Sequence, residues 1–316
     1  MATIESVAEE YKYYVLALIL LASAGLQAFF YGMIPPLQEN FSEYIVSIAV
    51  GFLVILLVFK ISEKITGSAG AGIFSAAMAS TIQLYSWKTV AQLTHTVSLF
   101  FFLLSILALL YVKEIQWTLL VIPVLTFSLL HVYSLALVPI FLLYSFVMWL
   151  EKKEMSRDEF YFILTSAAVL LVVFLVLRLT PTLYLLIKQH ISINYYSIIG
   201  EKLTLRSLFV LAGVIPIYLG LYGTYIGLKQ EKKSVQLLVS SAGIFFAAML
   251  FNVVPTSLGM PYFTFTLAAL SGFVYFAIES YLRGSILKKH EPAVLAAAVM
   301  ILMVFGFLHR IVFTLA

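Results

Sequence analysis

Apolar residues run through this chain in long blocks, and the few charged residues fall between the blocks. Two blocks carry no charge at all: Ile115–Leu150, 36 residues, and Ser234–Ile278, 45 residues. As single helices at ~1.5 Å per residue they would reach ~54 and ~67 Å, against a hydrocarbon core of ~30 Å. Each must therefore fold back on itself. Dividing both predicts spans near Tyr13–Tyr31, Ser42–Phe59, Ser68–Ser86, Thr89–Tyr111, Trp117–His131, Tyr133–Leu150 and Phe160–Leu177, then Ser207–Leu228, Val235–Phe251, Tyr262–Leu282 and Ala293–Leu308. The expected fold class is all-α, a polytopic transmembrane helix bundle of about eleven spans. Ala, Gly and Ser dominate Ser68–Ser80. Small residues let helices approach closely, so this third span is expected to be enclosed by its neighbours. The fifth and sixth spans are short, and the stretch Leu130-His131-Val132-Tyr133-Ser134, with Pro123 and Pro139 on either side, is their expected bend.

Charge gives the bundle a direction. With the N-terminus inside, the cytoplasmic loops hold 13 of the 19 Lys and Arg residues and the outer loops hold 6. Reading Ile115–Leu150 as one span reverses everything downstream and leaves 9 against 10, so the bias vanishes. The positive-inside rule thus favours eleven spans, a cytoplasmic N-terminus and an extracytoplasmic C-terminus. Four of the six outer basic residues fall in one segment, which divides the chain into a seven-span module (1–177), an extracytoplasmic segment (178–206) and a four-span module (207–316). The segment mixes Leu and Ile with Lys188, Gln189, His190 and Tyr195-Tyr196. It reads either as an amphipathic helix on the outer leaflet, started at Pro181, or as a re-entry loop whose basic ends meet lipid headgroups.

Composition agrees with a membrane protein: 63% of residues are hydrophobic, 11% are charged, and mean hydropathy is +1.06. Tyr and Phe, at 19 and 26 residues, suit interfacial belts and lipid-facing ridges. The net charge of +4 does not point to nucleic acid, because no run of Lys or Arg is long enough for such a patch. The absence of Cys removes disulfides, thiolate metal sites and cysteine nucleophiles. Glu5, Glu9 and Glu10 replace the basic start of a cleavable signal, so the first span reads as an uncleaved anchor. There is no Walker loop, HExxH, dinucleotide fingerprint or metal-ligand spacing, which excludes ATP-driven transport by this chain alone. No cofactor is firmly implied, and nothing in the sequence supports a divalent metal.

Chemistry in this setting needs polar groups that converge at one membrane face. On the outer side the candidates are Glu39 and Glu43, Lys88 and His95, His131 and Tyr133, and the basic segment residues Arg178, Lys188, His190, Lys202 and Arg206. A carboxylate could act as general base, and Lys or Arg would hold a phosphate. Singly, each has a plainer role: Glu39 and Glu43 near a helix start, Lys88 beside Trp87 as an interfacial anchor, His95 in an interhelical hydrogen bond. His131 stands out, because a helix break at membrane depth is tolerated only where it faces protein or a cavity. Glu279 lies four residues before Arg283, which predicts a local ion pair. Gly223-x-x-x-Gly227 predicts helix packing rather than dimerisation.

From about Tyr13 to Leu177 the order of elements resembles the C-type membrane glycosyltransferases (GT-C), which include protein O-mannosyltransferases and oligosaccharyltransferase catalytic subunits. The match runs through Pro35-Pro36-Leu37, a span closing in Lys60-Ile61-Ser62-Glu63-Lys64-Ile65-Thr66-Gly67, the small-residue span Ala69–Ser80, the run Ser98–Leu104, and two short spans joined by Leu129–Ser134. The resemblance implies a polyprenyl-phosphate-sugar donor, transfer at the extracytoplasmic face, and a phosphate clamp of basic residues, with Glu39 and Glu43 in the catalytic position. It also implies a long first outer loop carrying an acid. Here that loop is Gly32–Phe41 with Glu39 alone, and Trp87–Thr96 holds no acid. Both an active transferase and a non-catalytic relative that binds the lipid-linked sugar fit this pattern. The expected partners are membrane lipid, a polyprenyl-phosphate sugar and a membrane-protein partner, and the expected location is a prokaryotic plasma membrane. Two further readings stand beside it. A secondary transporter would need internal repeats and broken midplane spans, and no repeat relates the two halves. A structural subunit of a membrane complex needs packing surfaces only.

Overall fold

The computed structural model describes residues 13–24, 41–82, 93–179, 203–285 and 290–315. Among these residues the chain is all-helical and no strand forms. The helices are α1 (Tyr13–Ala24), α2 (Phe41–Thr66), α3 (Ala69–Ser80), α4 (Leu93–Leu110), α5 (Trp117–Leu130) and, after a 3₁₀ turn at Val132–Ala136, α6 (Leu137–Leu150). They continue with α7 (Arg157–Leu179), α8 (Leu205–Ala212), α9 (Val214–Lys229), α10 (Lys233–Leu250), α11 (Thr256–Arg283) and α12 (Glu291–Leu315). Among the described residues, four stretches are long and apolar enough to cross a membrane: Ile45–Thr66, Arg157–Val176, Lys233–Leu250 and Thr256–Arg283. Large apolar side chains such as Trp149, Tyr218, Tyr222 and Phe251 point outward, more than half exposed. Such a surface is untenable in water and ordinary against lipid. The chain is a helical integral membrane protein.

Both uncharged runs fold back. Ile115–Leu150 forms α5 and α6, each 14 residues and so only ~21 Å long, too short for a full ~30 Å crossing. Ser234–Ile278 turns at Phe251–Pro255, where Asn252 takes a left-handed φ of 56°. That turn is tighter than the sequence implies, because Gly259 and Pro261 already lie inside α11. Pro261 is tolerated close to the helix start, where few intrahelical bonds are lost. Two other boundaries differ. α2 runs past Phe59 through Lys60-Ile-Ser-Glu-Lys64, held by a 2.7 Å Lys60–Glu63 pair one turn apart. The predicted span Ser207–Leu228 is broken into α8 and α9 at Gly213, whose φ of 87° ends one helix and starts the next.

The long helix α11 is the axis of the fold. It packs against α2, α3, α9 and α10, and every residue from Leu258 to Tyr275 is buried. Between helices in lipid the driving force is close packing, and small residues provide it. Gly220, Gly223 and Gly227 line the face of α9 that meets α11. A Cβ on Gly223 would lie 2.1 Å from the Leu270 carbonyl oxygen. The predicted packing role of Gly223 and Gly227 is met inside the chain. α3, buried from Ala71 to Ser80, lies enclosed by α2, α11 and α12 as its small residues require. Ser75 Oγ donates to Ser62 Oγ at 2.9 Å, and Ser62 Oγ to the Ala71 carbonyl at 3.3 Å, so the few polar groups at this junction satisfy one another.

Charged residues gather at one end of the bundle. Lys64 pairs with Glu114, Lys113 lies 3.9 Å from Glu159, and Arg283 pairs with Glu279. Lys153 Nζ donates to the Glu231 carbonyl at 2.7 Å, and Lys232 Nζ to the Ile65 carbonyl at 3.0 Å. The connections α2–α3, α4–α5, α6–α7, α9–α10 and α11–α12 thus share that end, and the α5–α6 and α10–α11 turns lie at the other.

Candidate functional site

Two of the sequence candidates meet in space. His95 lies in the first turn of α4, and His131 closes α5. Their ring centroids are 5.6 Å apart at an interplanar angle of 60°. Both are buried, at 8% and 2% exposure. The local chain explains the placement of His131. Its backbone leaves the helix in an extended conformation, φ −150° and ψ 134°, while its N–H still bonds the Phe127 carbonyl at 3.0 Å. Ser134 N–H then bonds the His131 carbonyl at 3.1 Å and opens the 3₁₀ turn. Pro139 follows at the third position of α6, where a missing N–H costs no helical bond.

An aromatic layer lies one to two turns further along the same helices. Phe127 sits one turn before His131, and Phe102 two turns after His95. The Phe102 and Phe127 rings are 6.2 Å apart, and Tyr262 stacks on Phe245 with centroids 4.7 Å apart and planes within 9°. Phe102 meets both Phe245 and Tyr262 edge-on, at 5.4 and 5.1 Å. These geometries suit aromatic quadrupoles and fix α4, α5, α10 and α11 relative to one another. Two imidazoles at this separation can each donate and accept a hydrogen bond, so together they can orient a hydroxyl or pass a proton. Among the described residues no group of three or more His, Asp or Glu converges as a metal site would require.

The remaining candidates are less fully defined. Glu39, Lys88, Lys188, His190 and Lys202 lie outside the described residues. Glu43 is in the first turn of α2, Tyr133 in the 3₁₀ turn, Arg178 in the last turn of α7 and Arg206 in the first turn of α8. Those backbone positions share the end of the bundle where His95 and His131 meet, opposite the charged end.

The charged end holds features that the sequence reading treats only as an orientation signal. Ser68 caps α3 by accepting from Ala71 N–H at 3.1 Å and also donates to the buried carboxylate of Glu279. Arg283 joins Glu279 to Glu291 of α12, with its Nε 3.6 Å from Glu291. The expected Glu279–Arg283 pair is therefore part of a clasp over α3, α11 and α12. Beside it a crevice of about 420 Å³ opens between α2, α4, α6, α7 and α10, lined by Lys64, Lys113, Lys232, Lys233, Glu159 and Glu231 among others. Lys232 caps the end of α2 through the Ile65 and Thr66 carbonyls, at 3.0 and 3.3 Å. Burial pushes its ammonium below the usual lysine range. Glu151, at the end of α6, is held below the usual carboxylate range by hydrogen bonding to Lys153 and further by Gln236.

No protein-family model and no curated protein matches this chain.

Proposed function

We propose that this protein binds a polyprenyl-phosphate-linked sugar at the extracytoplasmic face of a prokaryotic plasma membrane, as a GT-C-like glycosyltransferase or a non-catalytic relative of one. The observation that carries this is the convergence of His95 and His131 at the break between α5 and α6. They are 36 positions apart in sequence, and irregular backbone at membrane depth is retained where it faces protein or a cavity. In this reading the two imidazoles orient the sugar hydroxyls, the basic residues of 178–206 hold the phosphate, and Glu39 or Glu43 supplies the base if transfer occurs. The chain crosses the membrane about eleven times, with its N-terminus and the charged end of the bundle cytoplasmic and its C-terminus outside. The loops at the charged end carry most of the Lys and Arg, which supports that orientation.

Native mass spectrometry of the gently solubilised protein, with identification of retained lipid, tests the proposal. A polyprenyl phosphate or its sugar conjugate is expected on the wild type and lost on His95→Ala/His131→Ala and on Lys188→Ala. Wild-type protein that carries bulk phospholipid alone would overturn it. Glu39→Gln and Glu43→Gln separate the two versions: lost transfer with retained lipid marks an enzyme.

A further inference from the structure

At the opposite end of the bundle, we infer that the lysine-lined crevice between α2, α4, α7 and the start of α10 binds a phosphate group, carried by a lipid headgroup or by a soluble phosphate. Nothing in this inference depends on the sugar-lipid reading, and the two sites lie at opposite ends of the molecule. The crevice measures about 420 Å³, within the ~300–1,000 Å³ of small-ligand sites. Its wall carries four lysines, Lys64, Lys113, Lys232 and Lys233, against two carboxylates, Glu159 and Glu231.

Two of the four lysines lie beside carboxylates and two do not. Lys64 is matched by Glu114, and Lys113 approaches Glu159 at 3.9 Å. Lys232 and Lys233 instead donate to backbone carbonyls, of Ile65 and Thr66 and of Glu154, and meet no carboxylate within ion-pair distance among the described residues. A carbonyl satisfies the hydrogen bond of an ammonium without cancelling its charge. The placement compounds the cost: Lys232 and Lys233 are the N-cap and first residue of α10, whose first turn holds no acid and whose N–H groups receive no capping bond from the Lys232 side chain. Two cations at the positive end of an 18-residue helix repel its dipole, and an anion bound between them removes that conflict. The floor adds a buried Tyr144 and Leu237, so the group that enters exchanges water for protein on its inner side. Because Lys64 is in the last turn of α2 and Lys113 lies three residues past the end of α4, the crevice sits at the level of helix ends, where headgroup phosphates lie.

The test uses the full chain in two arms. In a neutral detergent, thermal unfolding is followed against inorganic phosphate. In vesicles of phosphatidylcholine with or without phosphatidylglycerol, retained phosphatidylglycerol is counted after extraction. Binding in the first arm identifies a soluble phosphate, and binding in the second alone identifies a headgroup. At about 1 kcal/mol per basic residue, each lysine removed should weaken binding about fivefold, so Lys232→Gln/Lys233→Gln should lose roughly 25-fold. Lys113→Gln leaves the α2 cap in place and should still lose about fivefold, while Glu231→Gln should bind more tightly. Lys152→Gln, outside the crevice, should bind as the wild type does. Absence of saturable binding in both arms, or equal binding by wild type and Lys113→Gln and Lys233→Gln, would overturn the assignment.

Discussion

At the scale of single residues, closeness of backbones sets what can be changed. Gly223 faces a carbonyl that cannot move aside, and Gly272 faces Ser62 Oγ at 2.0 Å from where a Cβ would lie. Gly223→Ala and Gly272→Ala should each destabilise by about 1–3 kcal/mol, the usual cost of overpacking. Gly243 has nothing within 4 Å, and Gly243→Ala should be neutral or stabilising by up to about 1 kcal/mol. Unfolding midpoints of the three variants in one detergent check the contrast; a loss at Gly243 equal to that at Gly223 would refute the packing account. Ser68 makes a different kind of contribution, because its hydroxyl both caps α3 and donates to buried Glu279. Ser68→Ala should lose about 1–3 kcal/mol, more than a cap alone, since a buried carboxylate is left short of a donor. Restoring the hydroxyl with Ser68→Thr should recover most of it, and the same unfolding scan reads the recovery.

Helices and their connections carry the pH response. The Glu151 carboxyl is held below its ordinary value in the folded protein, so its stabilising contribution is complete above that value. It is lost as pH falls through the depressed folded value. Between about pH 6 and pH 3, the stability difference between wild type and Glu151→Gln should shrink as acid is added. A constant difference across that window would show that the α6 end gains nothing from this charge. Helices are also where sequence legibility divides. The fold-back of both uncharged runs, the enclosure of α3 and the closeness of α9 to another helix follow from run length and residue size, which are local quantities. So does the candidacy of His95 and His131, since an ionisable group in an apolar run is visible at once. The span boundary at Phe59 falls short because charge there reads as the end of a span, whereas Lys60 pairs with Glu63 within the helix and Lys64 with Glu114, fifty residues away. The crevice was hidden for the same reason: Lys232 and Lys233 look like a cytoplasmic marker until Ile65, Thr66 and Glu154 are seen to receive them.

For the whole molecule, the arrangement of ends makes a topological prediction that the native sequence is well suited to test, because it has no Cys. Lys113→Cys and Lys152→Cys flank the α5–α6 hairpin at the charged end, and Val253→Cys marks the α10–α11 turn at the other. A membrane-impermeant maleimide applied to sealed vesicles of one orientation should label the first two from one side and the third only from the opposite side. Labelling of Lys113→Cys and Lys152→Cys from opposite sides would mean that Ile115–Leu150 crosses once. The burial of α11 has a consequence for how such a molecule is made. Its apolar window has a mean hydropathy of 1.4, against 2.7 for α2, and 78% of that window is covered by protein. A segment like this gains little from lipid and much from a prepared slot. Synthesis delivers α2, α3, α9 and α10 before α11, so those helices wait in the bilayer around an unfilled groove of glycine and serine. Assembly is then a late event in which α11 fills the groove and α12 follows to cover α3.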